Sequence, residues 1–275
     1  MIDSSMQQQD IPDWKNQPKI ASEIQVICQL DGIEPLAPQK DIPPFYFKAK
    51  RGGAGLFIKW GHNFDSCQHE CTYGKALHEV SPLHFQNYIG AFELFGMGGL
   101  VSEYIAGQDL EVLVRQGALS TEQRTSIIHQ LAEIAEHLFG AGIVHRDLRP
   151  SNLFLTDKGT VMVIDPQYAV KACEYQECAF LRKYPQHAFH LGAQYRYKPL
   201  LWDDMHSLAK LMRELGAREI APQALDTVQA RIGRLQIHYP NRRRLLFRKH
   251  LLKAISYIVP VLLNLLAISL IYKKL

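Results

Sequence analysis

The sequence predicts an α+β fold of two lobes, strand-rich at first and helix-rich afterwards. Short β-type runs with glycine turns between them fill residues 24–104, and helical periodicity takes over beyond Gly107. A length of 275 residues suits one two-lobed unit better than two independent domains. The expected boundaries are a loosely ordered segment 1–23, a first lobe 24–104, a reduced second lobe 105–240, and a basic linker with an apolar helix over 241–275.

The first twenty or so residues are polar and Gln-rich, which predicts loose order. Ile24-Gln-Val-Ile-Cys28 reads as the first strand. Phe45–Lys50 and Leu56–Trp60 flank Arg51-Gly-Gly-Ala-Gly55, a hairpin turn. Helical signals occupy 66–80, and two strands follow at Tyr88–Leu94 and Leu100–Ile105. Leu110, Leu113 and Val114 suggest a short helix. Ile127, Ile128, Leu131, Ile134, Ala135 and Leu138 recur at helical spacing after the capping residues Ser120-Thr121, and Gly140 and Gly142 end that helix. Leu153–Leu155 and Val161–Ile164 form small strands about the turn Asp157-Lys-Gly159, and a helix runs from about Asp203 to Leu215.

The net charge of +4 is segregated. Residues 242–275 hold eight basic residues and no acid, which leaves 23 basic against 27 acidic residues in 1–241, or about −4. A mildly acidic body with a basic tail fits a domain held at an anionic surface better than a nucleic-acid binder. The five cysteines are odd in number and unevenly spaced, which argues for reduced thiols. Cys67-x-His69-x-Cys71 with Cys173 and Cys178 matches no common zinc spacing.

Val144-His-Arg-Asp-Leu-Arg-Pro-Ser-Asn152 resembles the catalytic loop of the protein-kinase superfamily, whose form is H-R-D-L-x-x-x-N. The resemblance covers roughly residues 24–216 and implies ATP and Mg2+ as cofactors. It makes Asp147 the acceptor of the substrate hydroxyl proton, with Asn152 and Asp165 holding magnesium. Lys59, between apolar neighbours in Leu56–Trp60, is similar to the lysine that holds the α- and β-phosphates. Glu70 is its expected partner, preferred to Glu79. Backbone groups of Glu103 and Ile105, in Leu100–Gly107, are expected to receive adenine, with the small Ser102 behind the base. His145, Arg146, Arg149 and Asp204 are expected to support the loop.

Four departures from the pattern stand out. No G-x-G-x-x-G precedes Lys59 at the family's distance, so the phosphate-covering turn is expected within Leu30–Pro44, where prolines lack the N–H donor. Asp165-Pro-Gln167 replaces D-F-G, which predicts a metal site that stays assembled. Residues 166–206 contain no Ser or Thr, so Arg146 has only the tyrosines 168, 175, 184, 195 and 197 within expected reach. The region after Leu215 is too short for the family's late helices.

Ala254–Tyr272 is nineteen residues without a charge. At ~1.5 Å per residue it reaches ~28 Å, near one hydrocarbon thickness. It predicts a membrane helix, spanning in preference to surface-lying, with a buried helix of the second lobe as the remaining alternative, and the body on the cytoplasmic side of an inner membrane. Small bacterial kinases of lipopolysaccharide sugars are similar in their reduced second lobe and poor glycine loop. The leading expectation is therefore an ATP-dependent kinase with a membrane glycolipid acceptor. A protein Ser/Thr kinase and a membrane-tethered pseudokinase are the alternatives.

Overall fold

The structure is a computed structural model that describes residues 17–36 and 44–272, with side chains at 261, 262 and 264–272 outside the description. In chain order the elements are α1 (Gln17–Ile27), β1 (Gly32–Pro35), β2 (Phe45–Arg51), β3 (Ala54–His62), α2 (Phe64–Val80), β4 (Tyr88–Leu94), β5 (Met97–Glu103) and β6 (Gly107–Asp109). Then come α3 (Leu110–Gln116), α4 (Thr121–Ala141), β7 (Ile143–Val144), β8 (Leu153–Thr156), β9 (Val161–Val163), β10 (Val170–Lys171), α5 (Ala179–Lys183), β11 (Leu201–Trp202), α6 (Asp204–Glu214), α7 (Ala217–Ile220) and α8 (Pro222–Gln229). Residues 1–237 form one compact unit, and 238–275 form a second.

The first lobe is a five-stranded antiparallel sheet of order β1-β2-β3-β5-β4 with α2 against it. Its register is set by two tight turns. Arg51 pairs with Ala54 across Gly52-Gly53, both at positive φ, the mirror-image turn whose twist suits a hairpin. Phe95-Gly96 does the same between β4 and β5. Alternation along β2 puts Phe45, Phe47 and Ala49 on the buried face with Ile58 and Trp60 of β3.

Ile24–Ile27 ends a helix and Cys28 lies in the turn after it, so the stretch is not a strand. Its β-branched residues suggest a strand, but Gln17, Ile20, Ala21 and Ile24 lie on one buried face of α1, and tertiary packing overrides propensity. That helix also replaces the loose order expected of residues 17–23. Residues 1–16 lie outside the described residues. The strand expected at Leu100–Ile105 is β5, shifted to Met97–Glu103.

Gly74 of α2 faces β4, where an added Cβ would sit 2.1 Å from the Tyr88 ring. Gly74→Ala is expected to cost about 1–3 kcal/mol through overpacking. Thermal unfolding checks it, and an unchanged midpoint would contradict the close approach.

The second lobe is built on α4. Ser120 and Gln123 form a reciprocal capping box at its start, and Gly142 closes it in the left-handed conformation. Its face of Ile127, Leu131, Ile134 and Leu138 packs with Leu208 and Met212 of α6 and Leu225 and Val228 of α8. The small sheet β6-β8-β9 lies beneath the first lobe, tied to it by the Phe85–Val163 bridge.

In the second unit a helix runs from Arg242 to Tyr272 with Pro260 inside it. Phe247, Leu251, Leu252, Ile255, Tyr257, Ile258, Val259 and Leu263 are all exposed on it. Among the described residues no helix is long and apolar enough to cross a membrane, so the spanning reading has no support there. Most side chains of 254–272 lie outside the described residues.

Candidate active site

Gly142 turns the chain out of α4 into β7, and residues 145–152 follow as a loop ending in a tight helical turn over Pro150–Asn152. Asp204, in the first turn of α6, holds this loop from behind: its carboxylate accepts the backbone N–H groups of His145 and of Arg146, the latter at 3.2 Å. The His145 ring is buried and bonds the Ile164 carbonyl through Nε2 at 3.1 Å. Burial pushes its pKa down to about 4, so the neutral ring donates from Nε2.

Asp147 is 6 % exposed. Asn152 Nδ2 donates to Asp147 Oδ2 at 3.0 Å and to the Asp147 carbonyl at 2.9 Å, and Gly192 N donates to Oδ1 at 2.7 Å. Arg149 Nε lies 3.5 Å from Oδ2, so Arg149 faces the carboxylate besides bracing the loop. Burial raises the Asp147 carboxyl to about 6 against the pull of Arg149 and Gly192. A carboxyl that must accept a proton works only when ionised. We therefore expect kcat/KM to fall about tenfold per pH unit below a midpoint near 6, with the loss at the acid side. A profile flat down to pH 4.5 would contradict it.

Lys59 of β3 is 6 % exposed. Its Nζ donates to Glu70 Oε2 of α2 at 3.0 Å and to Asp165 Oδ1 at 3.0 Å. Burial alone would favour the neutral amine, but the charges of Asp165 and Glu70 outweigh it and hold the ammonium protonated. Asp165 is correspondingly lowered: burial works against its charge, and Lys59 more than offsets that. Burial raises Glu70 despite the same lysine, so Asp165 has the stronger claim on the ammonium. Asp165 adopts φ +59 before Pro166, a conformation L-residues other than Asn and Asp rarely take, and its N–H donates to Tyr88 Oη at 3.0 Å.

Lys59, Glu70, Asn152 and Asp165 open on one cavity of about 340 Å³, which Tyr46 and Ser102 also line, and Asp147 stands behind Asn152, to which it is bonded. Asn152 spends its Nδ2 on Asp147, which leaves the amide oxygen for the cavity beside the Asp165 carboxylate. Two hard oxygen donors of this kind suit magnesium, which takes its remaining ligands from phosphate and water. Among the described residues no group of three or more His, Cys, Asp or Glu could hold a metal ion.

At the end expected to receive adenine Ile105 lines the cavity, and Glu103 N–H is taken by the Asn87 carbonyl at 2.8 Å. The Glu103 carbonyl accepts Gln86 Nε2 at 2.8 Å, so an adenine amine would share that oxygen with Gln86. Ser102 is 1 % exposed with its Oγ unbonded among the described residues. Its small volume is expected to admit adenine analogues with bulky substituents. A competition assay in which Ser102→Phe leaves their affinity unchanged would contradict this.

The Pro-rich turn expected over the phosphates connects β1 to β2, and its residues 37–43 lie outside the described residues. The expectation for Arg146 is corrected. Its guanidinium is paired with Glu177, and Tyr175 is an accessory contact. Gln86, Tyr88, Glu177 and Gly192 were not legible in the sequence. None belongs to a spaced motif, and each reaches the site only through the fold.

A protein kinase domain model matches residues 62–183. Over that stretch, a little under half of its length, the chain is similar to a protein kinase domain. It is similar to CBL-interacting serine/threonine-protein kinase 8 of Arabidopsis thaliana, with 36 % identity over 67 residues, 24 % of this chain and 15 % of that protein. Serine/threonine-protein kinase F of Synechocystis shows 37 % over 67 residues, 24 % of this chain and 14 % of the relative. Ribosomal protein S6 kinase alpha-2 of Mus musculus shows 29 % over 91 residues, 33 % of this chain and 12 % of the relative. The matched stretch thus spans 15 % or less of these relatives' length.

Proposed function

We propose that this chain is an ATP- and magnesium-dependent phosphotransferase with a hydroxyl acceptor. The observation that carries it is the meeting of Lys59 with Glu70 and Asp165 at a cavity that Asn152 also lines, with Asp147 bonded to Asn152. Asp147 takes the proton of the acceptor hydroxyl as its oxygen bonds to the γ-phosphorus, and the bond to the ADP oxygen breaks in line. Lys59 steadies the α- and β-phosphates. Asn152 and Asp165 would hold magnesium, which when bound neutralises charge on the phosphates. A scaffold without catalysis would have no use for Lys59, Asp147, Asn152 and Asp165 gathered in this way, which disfavours the pseudokinase reading.

Two of the relatives named above are serine/threonine-protein kinases and the third is a ribosomal protein S6 kinase, so a protein hydroxyl moves ahead of the glycolipid expected from the sequence. One observation keeps the glycolipid as a second reading. Residues 178–202, which bring Gly192 onto Asp147, contain Arg182, Lys183, Arg196 and Lys198 and no acid, a setting that favours an anionic acceptor. Labelled ATP with magnesium, offered to the full chain with either protein substrate or membrane lipid extract, decides between them. Label on protein, absent in Asp147→Asn, supports the first. Label only in lipid reverses the order, and none in either sinks the phosphotransfer reading.

For localisation, we propose that the helix Arg242–Tyr272 lies on an anionic membrane surface, on the strength of its cations and exposed apolar side chains. Flotation with anionic but not neutral vesicles is expected. Equal flotation with both would count against an electrostatic role.

A further inference from the structure

Arg146 stands one residue before Asp147 with its backbone at φ +70 and its side chain 1 % exposed. A buried cation of this kind is costly unless every donor is met. Its Nη1 and Nη2 donate to Glu177 Oε2 and Oε1 at 2.9 and 2.7 Å, a bidentate pair. Its Nε donates to the Tyr168 carbonyl, three residues past Asp165. The guanidinium carbon lies 5.2 Å from the Trp202 ring centroid and 5.9 Å from that of Tyr175. Glu177 is itself fully engaged: Tyr175 Oη donates to Oε2 at 2.6 Å and Cys178 N to Oε1 at 3.0 Å. Burial would raise its carboxyl, but the bonds and charge of Arg146 keep it below the ordinary value.

This arrangement ties three pieces of chain together at the residue beside the base: the loop of Asp147, the turn after Asp165, and the segment 175–178. That segment leads on to Gly192, whose N–H holds Asp147 Oδ1. The anion at the centre is encoded. Residues 166–206 offer no Ser or Thr on which one could be installed, and the hydroxyl of Tyr175 is already bonded to Glu177.

We propose that Glu177 is a positioning residue for phosphotransfer: its fixed carboxylate locks the segment after Asp165 onto the catalytic loop, so that the loop is assembled without phosphorylation of this chain. The inference rests on the phosphotransferase reading for its kinetic arm but not for its structural one.

The test uses the full chain with magnesium-ATP turnover, water serving as acceptor, and amide hydrogen exchange. Glu177→Gln is expected to lower kcat at least about tenfold with KM for ATP little changed, because a small misplacement beside the base is enough to do so. It should also speed exchange across 143–148 and 168–178, while Glu177→Asp restores most of both. Phosphatase treatment of the wild-type chain, checked by intact mass, should leave turnover unchanged. Wild-type turnover that falls on phosphatase treatment, or Glu177→Gln with wild-type kcat and exchange, overturns the proposal. A wild-type chain with no turnover in any form counts against the phosphotransferase reading, and the exchange data then decide the role of Glu177 alone. Should Glu177→Gln fail to fold, Tyr175→Phe, which removes one bond to the carboxylate and keeps the ion pair, should raise exchange in the same amides. Unchanged exchange there overturns it.

Discussion

Asp147→Asn is expected to lower kcat by about 10²–10⁴-fold, the range for loss of a positioned general base, while ATP binding is preserved. The asparagine keeps the shape of the site. Its amide oxygen can still accept Gly192 N–H, and Asn152 still bonds the backbone carbonyl of residue 147. What is lost is a group able to take a proton. Single-turnover measurement of phosphate transfer separates this from slow product release. A variant that retains a tenth or more of the wild-type rate would remove Asp147 from the role of base.

Lys59→Met should be the more damaging change to the protein as a whole. Lys59 Nζ is the cation between Glu70 and Asp165, and its removal leaves two carboxylates facing each other in a largely buried place. Breaking a buried pair costs about 3–5 kcal/mol. The Asp165 side chain is 32 % exposed, so the lower end applies, equivalent to a melting-point loss of roughly 6–10 °C. The sign of the pH dependence follows. Without the lysine both carboxyls have folded-state pKa values above their unfolded ones. The stability they allow is then present at low pH and lost as pH rises through those values. The deficit of the variant should be smaller at pH 5 than at pH 8. Nucleotide affinity should fall in parallel, since the ammonium that meets the phosphates is gone. Equal deficits at both pH values would mean that the variant fails through packing, not charge.

The loop of Asp147 and Asn152 was legible because its contacts are local. Asp147 and Asn152 are five residues apart on one turn, and the bond between their side chains is built into that spacing. The hairpin at Gly52-Gly53 and the capped helix α4 were legible for the same reason, since backbone conformation at a few residues decides them. Lys59 and Glu70 were legible less directly, through the order of a strand and the helix after it. The first helix was misread because Ile24, Val26 and Ile27 have β-type side chains. The helical face that buries Ile20, Ala21 and Ile24 shows only when the window begins at Gln17. Glu177 was invisible for a deeper reason. It lies 31 residues from Arg146, in a segment with little regular structure, and only the assembled second lobe brings the two together. The same holds for Tyr88, 77 residues from the Asp165 N–H it accepts. Ion pairs of this kind are properties of the fold and leave no periodic trace.

Calorimetric titration of ATP, with and without magnesium, into the full chain and into Asp147→Asn and Asp165→Asn tests the division of labour at the cavity most directly. Expected is magnesium-linked binding that survives in Asp147→Asn and loses its magnesium dependence in Asp165→Asn. Nucleotide affinity indifferent to magnesium in the wild-type chain, or abolished by Asp147→Asn, would contradict a site in which one carboxylate holds the metal and the other only aims the hydroxyl.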